Sequence, residues 1–252
     1  MKLRYCYRAF KARYRDERHE LTAALAAIRP GDITADIGAN KGAYLYWLQR
    51  AVGRTGKVFA YEPQMALASY LEAVCAAMRW QNVVIRNCAL SDVAGTRTLH
   101  VPGRGDSPGA SLETAIMEMT ACRRYECSVD TLDRQLCNEK NLALLKVDVE
   151  GHEFNIFRGA TEILSQQMPV ILFECEARHL RQHTMQDVFV FLQGFGYTGE
   201  FFSPDGLRPL SEFNPSRHQK QIGPRFWDAP DYCNNFLFKP GKKARLNSNE
   251  QH

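Results

Sequence analysis

Two hydrophobic periods alternate along the middle of this chain, and that alternation narrows the fold more than any other feature of the sequence. Ile33–Ile37 is a short β-like run, and residues 41–52 then place Ala43, Tyr44, Trp47, Leu48 and Ala51 at helical spacing. Lys57–Tyr61 is strand-like, residues 64–79 are Ala- and Leu-rich and read as a helix, and Val83–Arg86 reads as a third strand. Residues 142–149 are nearly all apolar, as expected of a strand buried on both faces. A helix over 153–166, a strand over 169–174 and a helix over 184–195 follow, the last with Thr184 at its N-cap. Residues 197–202 and 234–238 complete the set. Strands separated by helices pair in parallel through right-handed crossovers, which predicts an open, doubly wound α/β sheet. Two further strand-like runs, 96–101 and 125–129, lie between the third and fourth strands and are joined by a Gly-rich turn at 103–109.

Composition supports a globular chain: 45% hydrophobic and 24% charged residues exclude a disordered, collagen-like or coiled-coil protein. The eight cysteines form no C-x-x-C pair. Cys122 and Cys127 have the spacing that opens a plant-type iron–sulfur run, but position 130 is Asp, so a cluster or zinc site is not expected. The net charge of +4 is unevenly spread. Residues 1–20 carry seven Lys/Arg against three acids, with Tyr5, Tyr7, Phe10 and Tyr14 interleaved. Residues 1–30 therefore read as a basic helical arm. Its aromatics either pack on the domain, leaving solvated charges outside, or serve with the basic residues to bind phosphates or an anionic membrane surface. No signal-peptide core follows, and no apolar run approaches the roughly 20 residues of a membrane helix, so a cytoplasmic location is expected. Residues 239–252 read as a polar, disordered tail, leaving 31–238 as the main domain.

In such sheets ligands bind at the carboxyl ends of the strands. The first strand ends in Asp36-Ile37-Gly38-Ala39-Asn40-Lys41-Gly42, where two glycines permit a tight turn and a helix beginning near Lys41 would direct free N–H groups at a ligand. The second strand ends in Tyr61-Glu62-Pro63, and Glu62 stands 24 positions after Gly38, near the roughly 20-residue offset of an acid that binds ribose hydroxyls. The third ends in Asn87-Cys88-Ala89-Leu90, where a nucleoside base could lie. The glycines depart from G-x-G-x-x-G, which disfavours a pyrophosphate and an NAD(P)-linked reaction and favours a single nucleoside with a small charged end.

This loop resembles the first motif of S-adenosylmethionine-dependent methyltransferases. The block Leu145-Lys146-Val147-Asp148-Val149-Glu150-Gly151-His152-Glu153, running into Phe157-Arg158-Gly159-Ala160, resembles the signature of the FkbM-type methyltransferase family. Asn87-Cys88-Ala89-Leu90-Ser91-Asp92 and Val129-Asp130-Thr131-Leu132-Asp133 are similar to blocks of the same family. The resemblance implies a Rossmann-like sheet with an antiparallel last strand and S-adenosylmethionine as cofactor. It also implies that Asp36, Gly38, Asn40 and Gly42 surround the methionine part, with Asp148 contributing to the cofactor site. Glu62 would accept the ribose hydroxyls, and Asn87, Cys88 and Ala89 would flank the adenine.

Asp148 and Glu150, and again Glu174 and Glu176, are two apart at strand ends and so share one side. With His152 and His179 they gather four carboxylates and two histidines at one mouth of the sheet. Three readings stay open: Glu150 or His152 is a general base, or Asp148, Glu150 and a histidine hold Mg²⁺ or Mn²⁺, or the acids only shape the pocket. Asp148, Glu150 and His152 are the candidate catalytic residues, and no resident metal is expected. The Asn/Asp-Pro-Pro-aromatic block of nucleobase amino-methylation and the Pro-Cys pair of cytosine methylation are absent, and an acidic mouth repels a phosphate backbone. The expected function is therefore O-methylation of a carbohydrate or natural-product hydroxyl. The alternative is a non-catalytic module that binds a nucleoside or partner on the same fold. The basic arm leaves room for peripheral membrane contact.

Overall fold

The computed structural model describes residues 1–103, 105–113, 122–223 and 225–241. Its strands are β1 (Ile33–Ile37), β2 (Lys57–Tyr61), β3 (Val83–Arg86), β4 (Ala89–Leu90), β5 (Gly95–Pro102), β6 (Cys122–Asp130), β7 (Leu142–Val147), β8 (Val170–Glu174), β9 (Tyr197–Ser203), β10 (Gly206–Pro209) and β11 (Asn235–Pro240). Eight of these form one sheet in the order β10-β9-β11-β8-β7-β1-β2-β3, and β4-β6-β5 form a small second sheet. β1 pairs in parallel with both β2 and β7, and the parallel pattern continues to β3 and β8. β11 enters antiparallel between β8 and β9, and β10 is a hairpin partner of β9. The sheet is thus α/β, mostly parallel and Rossmann-like. Its order reverses between β1 and β7, which is where such sheets place their ligands.

The helices are α1 (Lys2–Lys11), α2 (Arg18–Ala26), α3 (Leu45–Val52), α4 (Met65–Met78), α5 (Leu132–Gln135), α6 (Glu153–Arg158), α7 (Thr161–Gln166), α8 (Met185–Gly194) and α9 (Pro215–His218). Side chains alternate across each strand, so the sheet buries two cores. Ile37, Phe59, Leu145, Val147, Ile171 and Phe173 pack against residues of α6, α7 and α8, while Val58, Ala60, Leu144 and Leu172 meet residues of α2, α3 and α4. Thr184 closes a reciprocal capping box with Asp187 at the start of α8.

Four details differ from the sequence reading. The helix expected from Lys41 begins at Leu45, because Asn40 (φ 47°) and Gly42 (φ 73°) hold left-handed backbone that cannot enter a helix. The helix expected over 153–166 breaks into α6 and α7. Gly159 lies against Ser91, where an added Cβ would stand 2.1 Å from the carbonyl oxygen, and Asp133 accepts hydrogen bonds from Glu162 and Ile163 N–H at the new helix start. Lys239 and Pro240, assigned to the tail, extend β11 and pair with Thr198 and Tyr197; residues 242–252 of that tail lie outside the described residues. In the arm Tyr5 is buried and Phe10 sits 5.1 Å from the Trp47 ring, but Tyr7 and Tyr14 remain largely exposed, so the aromatics only partly pack on the domain.

Phe173, fully buried with its ring 5.3 Å from Phe157 and 5.5 Å from both Phe236 and Phe238, anchors the first core. Phe173→Ala is expected to cost about 3–5 kcal/mol in urea unfolding. Val190→Ala, at an exposed site of α8, should stay within about 0.5 kcal/mol.

Candidate functional site

The carboxyl ends of β1 and β7 meet at backbone contact. Asp148 N–H donates to Ile37 O at 3.0 Å, and a Cβ on Gly38 (φ 79°) would fall 1.9 Å from Asp148 O. Beside this contact opens a narrow cleft, about 570 Å³ with its open mouth included. Ile37, Gly38 and Asn40 line one side, Glu62 the end of β2, and Cys88, Ala89 and Leu90 the end of β3. Leu99, Pro108, Ala110, Ser111 and Leu112, from β5 and the segment after it, form the opposite wall.

Glu62 is almost fully buried. Its carboxylate accepts hydrogen bonds from Asn40 N–H (2.8 Å), Gln64 N–H (2.9 Å) and Gln64 Nε2 (3.3 Å). Burial pushes its pKa up, against the pull of those donors. A carboxylate has about four acceptor positions, so Glu62 keeps about one for a donor from the cleft. Gln64 also clamps the wall: its amide exchanges two hydrogen bonds with the Ser107 backbone, at 2.9 and 3.0 Å.

A second cleft adjoins the first and shares Gly38, Asn40, Pro108 and Asp148 with it. Asp36 and Lys146 lie in it, both buried. Lys146 Nζ donates to Asp148 Oδ2 at 3.2 Å but stands 3.7 Å from Asp36 Oδ1, beyond hydrogen-bond reach. Both Asp36 oxygens are buried without a hydrogen-bond partner. Burial raises the Asp36 pKa despite the nearby ammonium. Burial works against the Lys146 charge, yet the carboxylates of Asp148, Asp36 and Glu17 outweigh it and hold the lysine above its ordinary value.

The mouth over β7 and β8 divides in two. On one side Glu150 (φ 54°) and Gly151 (φ 99°) turn back toward His179, whose Nδ1 is 3.1 Å from Glu150 Oε2. Burial, then the charges of Asp148, Glu176 and Glu153, push Glu150 up to about 8, while burial pulls His179 down to about 4. Burial also raises Glu174, in company with Asp148 and Glu150. Burial opposes ionisation of Glu176 too, but hydrogen bonds from Arg178 and Tyr232 hold it down at about 2. On the other side His152 is buried with both ring nitrogens engaged: Nδ1 is 2.6 Å from Glu113 Oε1 and Nε2 2.9 Å from Ser91 Oγ. The two histidines therefore belong to different clusters. Among the described residues no group of three His, Cys, Asp or Glu is placed to hold a metal ion.

Of the residues singled out in the sequence, Gly38, Asn40, Glu62, Cys88, Ala89, Asp148 and His152 line the first cleft, and Asp36 the second. Gly42 sits behind the loop: an added Cβ there would meet Leu71 at 2.8 Å and Tyr5 at 3.2 Å. Asn87 is exposed and lines neither cleft, and its amide donates to the carbonyls of Glu62 (2.9 Å) and Pro63 (3.0 Å). Ser91, Glu113, Ser111, Gln64 and Glu17 were not expected at the site. Ser91 stood in a quoted block with no role, and Glu17 and Glu113 lie far from β1 in sequence, so spacing carried no signal for them.

Sheet order and the loop after β1 give the chain the fold of the class I methyltransferases. A family model for the methyltransferase FkbM domain matches residues 36–198, and the chain belongs to that family. The FkbM methyltransferase of Methylobacillus flagellatus KT superposes with a TM-score of 0.53 at 14% identity, covering 92% of this chain and 53% of that one, and so shares its fold. This chain spans about half the length of that protein. An S-adenosylmethionine-dependent O-methyltransferase from Thermotoga maritima gives 0.46 at 18% identity over 90% of this chain and 66% of its own. Fibrillarin from Aeropyrum pernix, solved with natively bound S-adenosylmethionine, gives 0.46 at 12% identity over 87% and 74%. No curated protein matches. No helix among the described residues is long and apolar enough to cross a membrane.

The contact at Gly38 is testable without any ligand. Gly38→Ala incurs about 1–2 kcal/mol from the left-handed backbone alone, and the clash with Asp148 O adds to it. Urea unfolding should show a larger loss than for Gly103→Ala, where φ is equally positive but nothing lies within 4 Å.

Proposed function

We propose that the chain is an S-adenosylmethionine-dependent O-methyltransferase acting on a hydroxyl of a carbohydrate or natural product. The observation that carries this reading is the buried Glu62 carboxylate at the end of β2, which lines the cleft with about one acceptor position left open. The residues fit the cofactor. Ile37, Leu90, Leu99 and Val149 offer apolar surface for a base, Glu62 accepts a ribose hydroxyl, and the Asp36 oxygens, without a hydrogen-bond donor among the described residues, favour a cationic end. When bound, the cofactor supplies a methyl group on a cationic sulfonium.

The chain's own residues do the rest by orientation and proton handling. An acceptor hydroxyl is a weak nucleophile and gains from a base. Glu150, held beside His179 with a raised pKa, is a stronger base once ionised than an ordinary carboxylate. His152 is better placed to hold the cleft wall, through Glu113 and Ser91, than to take a substrate proton. An acid-rich mouth favours a neutral or cationic acceptor over a phosphate backbone. The engagement of both His152 nitrogens by the chain itself favours a second reading, a nucleoside-binding module without turnover.

Isothermal titration with S-adenosylhomocysteine tests the cofactor site. The wild type should bind, and Glu62→Ala should weaken binding by about one to two orders of magnitude, the scale of lost charged hydrogen bonds; no binding by folded wild type would overturn the reading. Because Glu150 must lose its proton to act as a base, turnover should climb as pH rises through about 8. Glu150→Gln should remove that rise and cut turnover while leaving S-adenosylhomocysteine affinity unchanged. A wild type that binds but transfers no methyl to any hydroxyl acceptor would favour the binding module.

A further inference from the structure

The N-terminal arm lies outside every motif of the family, yet it is fastened to the glycine loop. Tyr5, fully buried, donates its hydroxyl to Gly42 O at 2.9 Å, Trp47 Nε1 donates to Ala9 O at 2.8 Å, and Arg8 Nη1 donates to Lys41 O at 3.3 Å. Just past these contacts the helix widens: Ala12–Asp16 adopt π geometry, a form that recurs at functional sites. Glu17 then leaves helical geometry (φ −133°, ψ 39°), and it lines the second cleft beside Tyr44. Together these turns bring an acid of the arm over the second cleft.

That cleft, about 850 Å³ with its mouth, has Asp36, Tyr44 and Lys146 on the domain side and Arg8, Lys11 and Glu17 on the arm side. Its charges are ordered. Inside the cleft the carboxylates of Glu17, Asp36 and Asp148 gather with the ammonium of Lys146, which lies 3.2 Å from Asp148 Oδ2 and 3.7 Å from Asp36 Oδ1. Lys146 gives its hydrogen bond to Asp148, so the Asp36 oxygens, 99% removed from solvent, have no donor. A buried carboxylate without a donor is costly, and a ligand ammonium brings three donors. At the rim the sign reverses: Lys11 is held by Asp16 at 2.7 Å, and the Arg8 guanidinium lies 3.3 Å from Lys41 O, 3.5 Å from Tyr70 Oη and over the Tyr70 ring. Negative inside and positive at the edge complements a zwitterion.

We infer that the arm completes the cofactor site, with Glu17 binding the ammonium and Arg8 and Lys11 the carboxylate of the amino-acid end of S-adenosylmethionine. This rests on the cofactor reading proposed above. The arm then makes the site selective for nucleosides that carry an amino-acid end, and it links cofactor binding to the docking of residues 1–20.

Two ligands separate the possibilities: S-adenosylhomocysteine, and methylthioadenosine, which shares the nucleoside and thioether but lacks the amino-acid end. Titration into the full chain should show wild type binding both. Glu17→Gln keeps the shape and removes the charge, and should weaken S-adenosylhomocysteine by about ten- to a hundred-fold while methylthioadenosine stays within about two-fold. Arg8→Gln should act in the same direction. Retained methylthioadenosine binding also reports that the variants fold. Unchanged S-adenosylhomocysteine affinity in both variants would overturn the inference, as would an equal loss for both ligands, which would make the arm a support for the fold. A wild type that binds neither ligand would overturn the cofactor reading itself, and this inference with it.

Discussion

The backbone contact between Gly38 and Asp148 is the constraint on which the rest of the site depends. It exists because the sheet reverses order between β1 and β7, so two strand ends that are distant in sequence lie side by side. A side chain at Gly38 would force them apart, and the left-handed backbone there excludes most other residues. Once the two ends touch, the loop after β1 is held between Glu62, whose carboxylate takes the Asn40 N–H, and Tyr5, whose hydroxyl binds Gly42 O. The two clefts are the spaces left on either side of that held loop.

Several residues in the family blocks act as scaffold. Asp133 caps α7, Thr131 caps α5, and Asn87 ties the end of β3 to the end of β2. Asp92 joins β5 to α6 by contacts with Arg97 and Arg158. Polar groups at strand ends and helix starts satisfy backbone donors and acceptors that would otherwise lack partners. Such placement makes a block of sequence distinctive without putting its side chains in a pocket. Ser91 shows the intermediate case: it is buried, touches His152, and steadies the wall of the first cleft.

Electrostatics organises what remains. Buried acids collect around Lys146 and around Glu150, and each cluster is only partly neutralised by the chain. Burial disfavours charge on all of them, so their pKa values separate according to which has a donor: Glu176, with Arg178 and Tyr232, falls to about 2, while Glu150 rises to about 8. Glu150 and Glu176, each the second acid of a strand-end pair, thus differ widely in basicity, a difference that no spacing rule contains. The basic residues of the chain's net charge of +4 sit partly at the rim of the second cleft, and the sum conceals that order.

The sequence by itself determined the alternation of strands and helices, the parallel sheet, the glycine turn, and Glu62 as the acid of the second strand, because these follow from hydrophobic period and from residues close together in the chain. It also brought Asp148 and Glu150 to a strand end. It placed the helix after β1 too early and joined α6 to α7, since left-handed backbone at Asn40 and the close approach of Gly159 to Ser91 depend on neighbours that are remote in sequence. Only the tertiary structure decided that His152 belongs with Glu113 and Ser91 and Glu150 with His179, and that Glu17 reaches the cleft of Asp36. Those pairings join segments tens of residues apart, and they form only when the strand ends, the arm and the small second sheet are packed on one another.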